Sequence, residues 1–98
     1  MKTPKSTTAC PITKVAKLLS DTWTMLIMHY LLKEPRHFCE LERSLPGIST
    51  RTLTLKLRKL VALNMLKKTK DGLYTATRKG EGLKLVEKAM KSYQERFL

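Results

Sequence analysis

Apolar residues recur along this chain at spacings of three and four in most segments and flank a tight turn in one, which predicts a mainly helical fold with a small β-hairpin. Residues 1–9 are polar, basic and Thr-rich without periodicity, and read as a flexible arm. Pro11 suits the first turn of a helix over about 11–19, where Ile12, Val15, Ala16 and Leu19 can bury one face. Ser20 or Asp21 caps the next helix, about 21–33, whose stripe of Trp23, Leu26, Ile27, Tyr30 and Leu31 marks a central core helix that ends before Pro35. A third helix is predicted over about 37–44 from Phe38, Leu41 and Leu45, and Pro46-Gly47 forces a tight turn after it.

Ser49 is a good N-cap for a fourth helix through Leu63, with Leu53, Leu57 and Leu60 on its buried face and Asn64 as a left-handed stop. Two helices joined by a short turn containing Gly form a helix-turn-helix. After it, residues 65–76 surround Asp71-Gly72 and predict a hairpin, the wing. From Thr77 or Arg78 to about 97 the chain returns to helix, and Leu83, Val86, Met90, Tyr93 and Phe97 form a seam at spacings of three and four. The length of that seam and its large residues favour a helix that meets a second copy, together with Ile12, Val15 and Leu19, over one packed on its own domain. The expected architecture is one winged helix-turn-helix domain over 10–98, dimerising through its terminal helices.

Charge sharpens this picture. The chain has 98 residues, 42% of them apolar, so its core is small and pairing would add to its stability. Its formal charge of +12 implies an anionic partner, nucleic acid ahead of membrane. Nine of the basic residues lie between Ser49 and Gly80, opposed only by Asp71, so +8 of the +12 sits on the helix-turn-helix and wing. No stretch approaches the roughly 18 apolar residues of a membrane span and none resembles a signal sequence, so a cytoplasmic protein without membrane contact is expected.

With Leu53 at the buried centre of the fourth helix, a turn of about 100° per residue puts Arg51, Leu55 and Arg58 on the opposite side, with Thr54 and Lys59 flanking. Arg can bond guanine bidentately, Thr can serve a base or a phosphate, and an exposed Leu can touch a thymine methyl. Lys56 adds charge to the same helix, and Ser49 and Thr50 stand at its N-terminus, where a phosphate is favoured. The hairpin carries Lys67, Lys68 and Lys70, suited to phosphates or a minor-groove edge, and Arg36 and His37 precede the third helix near where such folds approach the DNA backbone.

Cys10-Pro11, Trp23 with the apolar residues after it, Phe38 with Glu40-Leu41, Gly47-Ile48-Ser49, Leu53-Thr54, Leu57-Arg58 and Leu60, then Tyr74, Thr77 and Gly80, occur in an order that resembles the HxlR-type winged-helix regulators of bacteria and archaea. The resemblance spans about 10–83. It implies homodimers joined by terminal helices, the fourth helix in the major groove of double-stranded DNA, wings at the flanking minor grooves and a palindromic operator. It also implies that Cys10 senses oxidants or electrophiles, with the helix N-terminus and Lys14 stabilising its thiolate; a structural thiol is the other reading. Asn64 and Ala76 stand where the family usually has Gly and Leu, and the hairpin lacks the family's longer, often Pro-containing loop.

Cys39, His29 and His37 show no metal-ligand spacing, and no metal or cofactor is expected. Paired carboxylates, a nucleophile beside a base and a Gly-rich phosphate loop are all missing from the sequence, so no enzyme is expected. A nonspecific architectural DNA binder and a winged-helix protein-interaction module remain as alternatives to a sequence-specific regulator. No residue pattern identifies a small-molecule effector.

Overall fold

The computed structural model describes residues 10–98; the expected arm at 1–9 lies outside the described residues. The element order is α1 (Pro11–Leu18), α2 (Thr22–Lys33), β1 (Arg36–His37), α3 (Phe38–Ser44), α4 (Thr50–Ala62), β2 (Leu66–Lys68), β3 (Leu73–Ala76), α5 (Arg78–Glu81) and α6 (Leu83–Phe97). This is a winged helix-turn-helix.

Local chemistry accounts for most of the boundaries. Asp21 caps α2, its carboxylate accepting the Thr24 amide at 2.8 Å. The helix stops because Glu34, the residue before Pro35, is held extended. Pro46-Gly47 makes the turn into α4, with Gly47 at φ +93 and the Ile48 amide bonded to the Leu45 carbonyl at 3.1 Å. At the other end of α4 Asn64 takes φ 62, and the Met65 and Asn64 amides bond the Leu60 and Val61 carbonyls at 2.9 Å each. These are the two hydrogen bonds of a Schellman motif, and the buried pair Leu60 and Met65 supplies the apolar contact that goes with it.

The core gathers Ile27, Met28, Leu31, Leu41, Leu45, Leu53, Leu57, Leu60, Met65, Leu66 and Leu83. Leu53, Leu57 and Leu60 are the predicted face of α4. The buried face of α2 is rotated from the predicted stripe: Thr24, Ile27, Met28 and Leu31 are innermost, while Trp23, Leu26 and Tyr30 are half-buried at the core's edge. Size explains the rotation, since bulky rings fit the margin of a small core better than its centre, where Met28 fills the space beside Gly80.

Three further expectations are corrected. Helix α1 buries none of its residues: Ile12 is 77% exposed, Val15 and Ala16 also face outward, and only Leu18 and Leu19 reach the core. The hairpin belongs to a three-stranded antiparallel sheet, because β1 pairs with the free edge of β3 (Arg36 with Tyr74, His37 with Leu73) to give the order β1-β3-β2. Two residues are too few to show strand alternation in a sequence. Finally, the seam of the last helix divides. Leu83 lies in the core and Val86 packs on it, whereas Met90, Tyr93 and Phe97 are 51%, 59% and 68% exposed.

Thr77 joins the hairpin to α5: its hydroxyl donates to the Asn64 carbonyl at 2.6 Å and accepts the Gly80 amide at 3.1 Å. This brings Gly80 so close to β2 that an added Cβ would lie 2.2 Å from the Met65 carbonyl oxygen. Gly80→Ala therefore forces backbone apart. The expected loss is roughly 1–3 kcal/mol or more, read as a lower urea midpoint with unchanged m-value.

Candidate nucleic-acid interface

The leucine face of α4 sets what the helix shows to solvent. With Leu53, Leu57 and Leu60 buried, Arg51, Leu55, Arg58 and Lys59 are exposed and Thr54 is half-buried, its hydroxyl donating to the Thr50 carbonyl at 2.8 Å. Arg51 and Arg58 lie two turns, roughly 10 Å, apart on one side, separated by Leu55, a spacing that suits bases about three steps apart in a major groove.

Side chains at the N-terminus of α4 already have partners within the protein. Ser49 is the N-cap, its Oγ accepting the Thr52 amide at 3.0 Å, and the Thr50 hydroxyl donates to Glu42 of α3 at 2.5 Å. A carboxylate thus stands beside the position where a phosphate was expected. It holds the two helices of the helix-turn-helix together.

Lys56 differs from the sequence expectation. Its ammonium lies 2.9 Å from Asp21 and is half-buried, so it links α4 to the cap of α2 and is turned away from Arg51 and Arg58. Arg36 is likewise engaged: its Nε donates to the Tyr30 carbonyl at 3.3 Å, its guanidinium lies over the Tyr30 ring at 5.4 Å, and Glu34 is 3.4 Å away. Both residues look like free cations in the sequence because their partners come from other elements. His37 remains exposed and acts as the N-cap position of α3, its amide donating to Glu40 at 2.7 Å.

Beside α4, the hairpin presents Lys67, Lys68 and Lys70, all exposed. Its loop is not the two-residue turn that Asp71-Gly72 suggests, since only Gly72 has positive φ (+85). Gly72 donates to the Thr69 carbonyl at 3.0 Å and Thr69 to the Leu73 carbonyl at 2.8 Å, the pattern of a type I turn followed by a glycine bulge. Thr69 stiffens this loop by bonding Asp71 and the Leu73 amide through its hydroxyl. Lys68 lies over the ring of Tyr74, 5.5 Å from its centre, so the wing is compact and its charge stays close to the body.

Family comparison agrees with this geometry. The model of the HxlR-like helix-turn-helix family matches residues 18–98. The chain belongs to that family. Among relatives, the HTH-type transcriptional regulator YodB of Bacillus subtilis is 33% identical over 97 residues, covering 92% of this chain and 87% of YodB. An uncharacterised HTH-type transcriptional regulator of Synechocystis sp. is 47% identical over 51 residues, 52% of this chain but 38% of that protein. The crystal structure of quinone-bound YodB from B. subtilis superposes with a TM-score of 0.84 at 30% identity, covering 90% of this chain and 99% of the other.

Cys10 lies apart from the recognition surface, as the N-cap residue of α1. No side-chain cap hydrogen bond closes at Cys10, but the nearby Thr13 amide, then the Thr13 hydroxyl and the Ile12 amide, lower its thiol below the usual value against a smaller upward push from burial. The helix N-terminus acts as expected, but Thr13 takes the role anticipated for Lys14. Cys39 is exposed on α3.

Asp21 is the other perturbed group. Burial pushes its carboxyl up, but the hydrogen bond from Lys56, those from the Thr24 amide and hydroxyl, and the Lys56 charge together hold it below its usual value of 3.8. A carboxylate depressed in the folded state adds stability that is fully present above 3.8 and disappears as the pH falls through the lower folded value. Asp21→Asn should therefore melt lower than the parent protein at neutral pH, with the gap in Tm narrowing as the pH falls below 3.8 and gone once it is below the folded value. A gap independent of pH down to pH 2 would exclude the Lys56 pairing as its source.

Proposed function

We propose that this protein is a homodimeric, sequence-specific regulator that reads double-stranded DNA by placing α4 in the major groove. The observation that carries this reading is the orientation of α4: three buried leucines leave Arg51, Leu55 and Arg58 outward on the most basic segment of the chain. In this reading Arg51 and Arg58 contact base edges, Thr54, Lys59 and His37 flank them, and Lys67, Lys68 and Lys70 meet phosphates beside the groove. Lys56 and Arg36 orient the elements from behind, while Ser49 and Thr50 fix the approach of α4.

Dimerisation is supported by apolar surface that one protomer leaves uncovered. Ile12 and Val15 on α1, and Met90, Tyr93 and Phe97 on α6, are exposed, and α2 and α6 border an open groove of about 750 Å³ floored by Met25, Leu26 and Met90. Burying these residues against a second copy would complete a core that is small for its chain length. A two-fold dimer pairs the two recognition helices with a palindromic operator.

Cys10 is the proposed point of control. A thiol of lowered pKa at a helix N-terminus is poised to react with electrophiles, and YodB, a relative of this chain, has been crystallised quinone-bound. The thiolate sulfur would add to an electron-poor ring carbon of a quinone, one oxygen would take a proton from solvent and the other the proton of that carbon, leaving a thioether-linked hydroquinone. Such a bulky group on α1 would sit beside the proposed interface.

DNA binding should weaken steeply with salt, with a log-log slope of about −0.9 per phosphate contacted. Arg51→Ala is expected to cost roughly 1–3 kcal/mol at one base position in anisotropy titrations against a selected site. Uniform weakening on every sequence would point to an architectural binder, and no binding to its own upstream DNA at low salt would end the DNA reading altogether. Titration with diamide or a quinone should release the parent protein from DNA and leave Cys10→Ser bound; equal responses would remove Cys10 from the scheme.

A further inference from the structure

Of the grooves on the described surface, two belong to sites already treated and a third does not. The α2–α6 groove runs along the proposed dimer face, and the cleft holding Arg58, Lys68 and Tyr74 lies between α4 and the wing. The third is separate. It opens between α1 and the C-terminal turn of α4, has a volume of about 520 Å³, and is lined by Val15, Leu18 and Leu63 with Lys14, Lys17, Lys59 and Lys79.

We propose that this groove binds a small amphipathic anion, a carboxylate carrying an apolar body, such as an acyl or aryl acid. Its size falls within the range of small-molecule sites. Three aliphatic side chains form its apolar part, and the methylene stems of four lysines extend the walls while their ammonium groups can remain in water. No lining residue is acidic, and among the described residues none of these lysines is in an ion pair. Four like charges around one depression create a positive potential that an anion relieves. Lys79 is also fixed in place, its ammonium donating to the Leu63 carbonyl at 2.9 Å, so one donor group at the rim is already positioned.

Geometry turns the groove away from the proposed DNA surface, which it meets only at Lys59. Arg58 and Lys59 differ by about 100° around α4, so Arg58 turns toward the wing while Lys59 and Leu63 turn toward α1. A phosphodiester backbone has no use for an aliphatic floor, whereas an acyl or aryl chain does. Val15 is shared with the face assigned to the second copy, so the groove lies at the edge of that face. The inference does not rest on DNA binding, and DNA enters its test only as the readout that would reassign these lysines.

The test is a titration of the full chain, isotopically labelled for NMR, with decanoate below its micellar concentration, and in parallel with 1-decanol and with acetate. Decanoate should give saturable shifts confined to α1 and the end of α4, with decanol and acetate binding at least about tenfold more weakly, since one lacks the charge and the other the apolar body. Lys14 and Lys17 are both exposed, so Lys14→Gln combined with Lys17→Gln should fold normally and weaken decanoate by about tenfold. Leu63→Gln tests the floor independently and should weaken decanoate while leaving acetate unchanged. The inference is overturned if decanol binds as well as decanoate, if the shifts map to the α2–α6 groove, or if the lysine variant retains full decanoate affinity. It is overturned equally if anionic phospholipid vesicles shift these residues and decanoate does not, or if the lysine variant instead loses DNA affinity with a shallower salt dependence.

Discussion

The rotation of α4 about its own axis is the constraint on which the rest of this structure depends. Leu53, Leu57 and Leu60 repeat at four and three residues and are all buried. Each contributes on the order of 1.5–3 kcal/mol when withdrawn from water, so turning the helix by even one residue would expose a leucine and press a charged side chain toward the core. The side that α4 shows to solvent, proposed to read DNA, is therefore chosen by packing on the opposite side. Arg51, Leu55 and Arg58 point outward because nothing else can.

Polar ties then hold the helix at three points along its length. Glu42 takes the Thr50 hydroxyl at the N-terminal end, Asp21 takes Lys56 in the middle, and Lys79 bonds the Leu63 carbonyl where the Schellman turn closes the helix. These partners come from α3, the cap of α2 and the start of α5. One consequence is a division of labour among the basic residues. Lys56 is drawn inward by a carboxylate and Lys79 is held at the surface by a carbonyl, while the basic residues of α4 and the wing without such a partner stand free in solvent. Net charge alone cannot separate the two groups, because a lysine in a half-buried ion pair counts the same as one in water.

A single protomer leaves part of its apolar surface uncovered. The sheet, α2, α3 and α4 close a core around Ile27, Met28 and Leu41, while α1 and the distal half of α6 extend past it with apolar faces exposed. Such surface on a chain this small and this charged is costly unless another body covers it. That gives the Cys10 helix a particular character. It is weakly held by its own domain, so a modification at its first turn would act on its placement more readily than on the core.

Elements built from neighbours in the chain were legible in the sequence: the Ser49 cap, the Pro46-Gly47 turn, the Asn64 stop, the leucine face of α4 and the existence of the wing. Each depends on contacts within a few residues, where side-chain type and backbone preference agree. Family membership was legible too, through the ordered residues from Cys10 to Gly80. Tertiary structure decided what depends on distant partners. The two-residue strand β1 exists only because β3 offers an edge to it, and the loop at Asp71-Gly72 takes a bulged form set by the Thr69 pairing. The Asp21 and Lys56 pair joins positions 35 residues apart, and Arg36 is claimed by Tyr30 and Glu34. The last seam divides at Val86 because Leu83 and Val86 meet the core, whereas beyond them α6 stands off from α2 across the open groove that Met90 borders. A one-dimensional pattern records which residues can be buried or charged, and only the packed chain decides which of them meet.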